Sequence, residues 1–196
     1  MEKTEPIPEG YNLLLVDMRK AMWLSVWLLL GSLFVGILLM LLVQGESSFF
    51  RFVTKDPPQL LLDFLYLSAL IFLGIFVHEL IHGLTWMILG RKSWNRISYG
   101  VCWKYLAPYC HCKDALGCRI YRIGALAPLA LMGLLPLLLS VVIGDLFLLV
   151  LGSVFVSAAA GDVSIAWMLR NVPCGHLVLD HPTLPGCLVK DQEKAS

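Results

Sequence analysis

The side chains with the most chemistry to offer stand together in one short stretch: His78, Glu79, Leu80, Ile81 and His82. On a helix of 3.6 residues per turn, positions four apart project from one face, so the two imidazoles can share one metal ion. Neutral imidazole is a good zinc donor at ~2.0–2.1 Å, and Glu79, turned about 100° from His78, can take a proton from water at such a site. The pattern is that of metal-assisted hydrolysis, with His78 and His82 as metal ligands and Glu79 as the catalytic base.

A catalytic zinc normally has three protein ligands, so a further donor is needed. Asp162 is the candidate: His82 lies nine residues before Arg91 and Asp162 eight before Arg170. At 1.5 Å per residue both therefore lie ~12–14 Å from the basic residue that closes their segment. Ser153, Ser157 and Gly161 recur every four residues ahead of Asp162, with Ala158, Ala159 and Ala160 among them. Such small residues allow close helix approach. The alternative is that Asp162 is a simple hydrogen-bonding partner in helix packing. His111, Asp145, His176 and His181 compete as donors, but all lie in connections or near the C-terminus.

The elements that must position these groups are apolar. Of 196 residues, 58% are hydrophobic and 15% charged, and the mean hydropathy of +0.77 excludes a soluble monomer. A net charge of +1 leaves no basic excess to hold a nucleic-acid backbone, so lipid is the expected partner and nucleic acid is not. Segments 22–43, 60–89, 123–143 and 146–169 are each long enough to cross ~30 Å of hydrocarbon. Inside them His78, Glu79, His82 and Asp162 are costly unless they pair, bind a metal or line a wet cavity. Gly144 and Asp145 make the last two segments a tight helical hairpin. Pro128 and Pro136 remove backbone donors from the third, either opening a path for water or substrate or leaving a harmless kink.

Thirteen of the fifteen Lys and Arg fall in the termini and the 90–122 connection, against only Arg51 and Lys55 in the others. Basic connections are retained in the cytoplasm, so the expectation is a multi-pass cell-membrane protein with both termini cytoplasmic. The fold expected is an all-α polytopic membrane protein with four transmembrane helices. It divides into an N-terminal segment 1–21, a transmembrane domain 22–169 including the cytoplasmic 90–122 loop, and a tail 170–196. Cys102, Cys110, Cys112, Cys118, Cys174 and Cys187 all fall on the reducing side, which disfavours disulfides. The spacing of Cys110, His111, Cys112 and Cys118 fits no zinc ribbon, and buried thiols are the simpler reading. From Ile97 to Tyr105 large side chains alternate with smaller or polar ones, which suits either a β-hairpin in the loop or an aromatic belt at the membrane surface.

These features together resemble the site-2 protease group of intramembrane metalloproteases, and more closely the putative zincin peptidase family of multi-span bacterial membrane proteins. The resemblance spans most of residues 20–172. It is carried by His78 to Gly83, the Cys110, His111, Cys112 and Lys113 segment, the Pro128-containing third span, and Gly161 with Asp162. It implies zinc held by His78, His82 and Asp162, with Glu79 as base. One feature differs: site-2 proteases place glycine after the ligand aspartate, whereas Gly161 precedes Asp162. The function implied is zinc-dependent cleavage of transmembrane or membrane-adjacent protein substrates near the cytoplasmic leaflet. The alternative is a non-proteolytic membrane metalloprotein, a metal-binding scaffold or transporter component, in which Glu79 has no obvious task.

Overall fold

The computed structural model describes residues 10–46, 54–102, 107–181 and 184–190. The apolar segments are helical with slightly wider limits than expected: α1 is Met18–Gln44 and α2 is Pro57–Leu89. The third begins as α3, Cys118–Pro128, passes through a π-helical stretch, Leu129–Leu134, and ends as α4, Leu135–Ile143. The π stretch starts directly after Pro128, whose missing N–H breaks the regular ladder. The fourth is broken at Ala159 into α5, Leu146–Ala158, and α6, Ala160–Met168. Among the described residues three helices are long and apolar enough to cross a membrane, and the broken pair makes a fourth if counted as one span.

The all-α expectation needs correcting at both ends of the chain. Residues before α1 and after α6 form strands β1 (Tyr11–Leu15), β5 (Leu177–Asp180) and β6 (Gly186–Lys190), and the 90–122 connection adds β4, Leu116–Gly117. They make one antiparallel sheet in the order β1-β6-β5-β4, with Leu13 opposite Leu188 and Val178 opposite Val189. The segment expected to be a tail is thus built into the fold. The 90–122 connection carries the expected hairpin, β2 (Ile97–Cys102) paired with β3 (Ala107–Cys112), with Tyr99 opposite Cys110. Trp103 and Tyr105, part of the alternating pattern, lie outside the described residues.

The chain divides into two compact units. One comprises Met1–Met18, Glu79–Ala127 and Gly161–Ser196. Its core packs Trp86, Ile97, Cys112, Leu116, Cys118, Tyr121, Leu169, Val178, Cys187 and Val189. Cys112, Cys118 and Cys187 are free, buried thiols that act here as small apolar side chains.

The described residues of the other unit, Arg19–His78 and Pro128–Ala160, are almost wholly helical. Gly144 adopts φ 71°, a left-handed cap that turns α4 into α5, and the Asp145 side chain accepts from Leu148 N at 2.9 Å to start α5. The two helices of this hairpin approach so closely at Gly152 that a Cβ there would lie 2.7 Å from Leu137 N. Gln44 ties the end of α1 to this hairpin by donating to Val142 O at 2.6 Å. Outward the unit shows Trp23, Trp27, Phe34, Leu42, Phe64 and Phe72, each more than 60% exposed. An apolar surface of that kind is unsuited to water.

Candidate metal centre

The site is assembled on the C-terminal part of α2. His78 and His82 are both buried there, 7% and 5% exposed, with Glu79 partly buried between them. One donor atom from each of the three lies within 4.8 Å of the others. Among the described residues no other group of three or more His, Cys, Asp or Glu side chains gathers closely enough to hold a metal ion. Cys110, Cys112 and Cys118 therefore form no second centre.

His82 is fixed at both ring nitrogens. Nδ1 lies 2.9 Å from the Gly124 carbonyl of α3, and since a carbonyl only accepts, Nδ1 carries the hydrogen. In the neutral ring this leaves the lone pair on Nε2, which faces Asp162 Oδ1 at 3.3 Å. Either a cation between the two atoms or a doubly protonated ring would satisfy this contact. Two ligands bonded at 2.0–2.1 Å with a tetrahedral angle would stand ~3.3–3.4 Å apart, so this pair fits zinc. Asp162 owes its position to the break at Ala159, which restarts the helix and puts the carboxylate in the first turn of α6. It contacts His82 but is not one of the three side chains whose donor atoms gather within 4.8 Å.

Behind His82 runs a stack of rings that sequence reading missed. The His82 imidazole lies 5.6 Å from the Trp86 indole, and Trp86 lies 5.4 Å from Tyr121, each pair inclined by about 20°. Trp86 Nε1 also donates to Tyr121 O at 3.2 Å. Tyr121 in turn donates its hydroxyl to Asp180 Oδ1, while Asp180 Oδ2 accepts from Cys112 N at 2.8 Å. Burial pushes the Asp180 carboxyl above its ordinary value, outweighing the two hydrogen bonds that favour its charge. Trp86 stands four residues after His82, so helical spacing alone could have pointed to it. A lone aspartate near the C-terminus carried no comparable signal.

The competing donors are elsewhere. His111 Nδ1 lies 3.8 Å from Asp180 Oδ2, and His181 accepts from Leu184 N at 3.0 Å. Asp145 caps α5, and His176 gives its carbonyl to Cys118 N. None joins the group on α2.

On the other flank, the β2–β3 hairpin reaches the helix. Tyr99 places its hydroxyl against Gly83, where a Cβ would meet it at 2.0 Å, so only glycine fits. Tyr99 stands opposite Cys110 across the hairpin.

The model of one family, putative zincin peptidase, matches residues 71–177, which take in His78, Glu79, His82, Tyr99 and Asp162. No match was found among curated proteins or among solved structures. A zinc-compatible donor group on α2 and a match over more than half of its length lead to one conclusion: the chain belongs to the family of putative zincin peptidases.

Proposed function

We propose that the protein is a zinc-dependent intramembrane metalloprotease that hydrolyses peptide bonds of transmembrane or membrane-adjacent proteins near the cytoplasmic leaflet. The reading rests above all on the pairing of His82 Nε2 with Asp162 Oδ1 at 3.3 Å beside His78 and Glu79. A salt bridge between Asp162 and a doubly protonated His82 would satisfy that one contact. It would give no reason for His78 and Glu79 to share the site.

His78, His82 and Asp162 would hold the ion, and the Gly124 carbonyl would keep His82 in the tautomer that presents Nε2. A bound zinc would supply Lewis acidity and make water a nucleophile near neutral pH. Glu79 takes the proton from the attacking water as its oxygen joins the scissile carbonyl carbon. The same proton then passes from Glu79 to the leaving nitrogen as the C–N bond breaks. Burial of the two histidines keeps bulk water from competing for the donors.

The membrane setting is supported by the length and apolarity of the helices and by the outward-facing aromatic and aliphatic side chains of α1 and α2. The basic termini and 90–122 connection favour the cytoplasmic side for the adjoining ends of the helices. An extended substrate segment suits the hairpin, whose β2 and β3 offer edges for strand addition.

Detergent-purified protein tests the reading by metal analysis, followed by comparison of membrane-protein fragments formed in cells carrying wild type or Glu79→Gln. One zinc per chain and fragments that require Glu79 are expected. Zinc without any Glu79-dependent fragment would favour the scaffold or transporter alternative, and absence of stoichiometric metal would defeat both.

A further inference from the structure

The proposed hydrolysis leaves one task unassigned: a donor for the negative charge that develops on the carbonyl oxygen when water attacks. Tyr99 has the placement for it. Gly83 follows Glu79 by four residues, so the two share a flank of α2, about 100° and about 140° round from His78. The Tyr99 hydroxyl rests on that flank, close enough to Gly83 to exclude even a methyl group. Thus a phenol from β2 stands on the flank of the proposed base, one helix turn beyond it.

The hairpin holds it there. Tyr99 pairs with Cys110 in the strand register. Trp94 packs on the ring at 5.6 Å between centroids. Burial, followed by the influence of Cys110 and Glu79, pushes the phenol up to about 12, and burial also raises the Cys110 thiol. Both therefore keep their hydrogens at neutral pH. Tyr99 is still 40% exposed, so the hydroxyl is not sealed into the core.

From this juxtaposition we infer that Tyr99 is a catalytic residue of the peptidase site, its hydroxyl donating a hydrogen bond to the oxyanion of the attacked peptide carbonyl. The inference rests on the peptidase reading above. Tyr99 transfers no proton; it stabilises charge by a donor already in place, a contribution of about 10²–10³ in rate where single donors have been removed elsewhere.

The test uses full-length zinc-loaded protein in detergent and two probes: a phosphinic dipeptide, which presents a tetrahedral anion, and acetohydroxamate, a small planar chelator. Tyr99→Phe keeps the ring and removes only the hydroxyl. Expected are unchanged zinc content and melting temperature, about 10²-fold weaker phosphinate binding, and hydroxamate affinity within about threefold of wild type. Equal affinity for phosphinate, or an equal loss on both probes, would overturn the assignment. Should Tyr99→Phe fail to fold, Gly83→Ala displaces the hydroxyl without altering Tyr99 and must give the same selective loss; equal phosphinate affinity there is again decisive against it. Wild type that holds no zinc, or binds neither probe, would overturn the peptidase reading itself and Tyr99 with it.

Discussion

His82 Nε2 and Asp162 Oδ1, eighty residues apart in the chain, face each other at 3.3 Å, and the second nitrogen of the same ring is committed to Gly124 O. Three helices therefore meet at one imidazole. His82 is thus held by α3 at one ring nitrogen and faces α6 with the other.

Asp162→Ala should accordingly lower zinc affinity by more than the ~10–100-fold lost when a merely supporting residue is removed. His82→Ala should abolish stoichiometric binding. Competition with a fluorescent chelator measures both. An Asp162→Ala protein that held zinc as tightly as wild type would remove this carboxylate from the ligand set.

Glu79→Gln should leave zinc affinity within a fewfold of wild type and abolish Glu79-dependent cleavage, because the amide cannot accept the proton of the attacking water. Metal analysis and fragment mapping on the same preparations separate these effects. Loss of metal along with cleavage would make Glu79 a ligand rather than a base.

Asp180 gives the fold a pH dependence whose sign can be worked out. Burial raises its carboxyl above the ordinary 3.8, so the folded protein binds this proton more readily than the unfolded chain. Its contribution is full below the unfolded value and is lost as pH rises through the folded one. Metal-free wild type should gain stability relative to Asp180→Asn as pH falls from 7 towards 4. Chemical denaturation in detergent across that range reads the difference, which cancels the titrations the two proteins share. A constant or reversed difference would contradict it.

Gly152→Ala should destabilise the helical unit by about 1–3 kcal/mol, since the new Cβ would lie 2.7 Å from backbone at Leu137 and 2.9 Å from Gly133 O, neither of which can rotate away. Gly31, with no heavy atom within 4 Å of a Cβ built there, is the matched control and should tolerate alanine. Thermal unfolding of the two variants gives the comparison.

The helices were legible because lipid-length apolar runs leave little freedom: segments read as 22–43 and 60–89 are Met18–Gln44 and Pro57–Leu89. The same simple geometry placed His78 and His82 on one face, and depth counting put Asp162 level with His82. What escaped was whatever depends on partners distant in sequence. Nothing in Tyr11 to Leu15 announces that its strand will pair with residues 186–190, because antiparallel register is settled between segments rather than within one. Asp180 was invisible for the same reason: its meaning comes from Tyr121 and Cys112, which only the folded sheet and hairpin bring to it.

The strand order β1-β6-β5-β4 also has a bearing on biosynthesis. β6 lies between β1 and β5, so the first strand to leave the ribosome has nothing to zip against until the last has been translated. The Asp180 brace behind the ring stack arrives equally late. A chain stalled before β6 would thus carry the H-E-x-x-H motif without the sheet that steadies its surroundings.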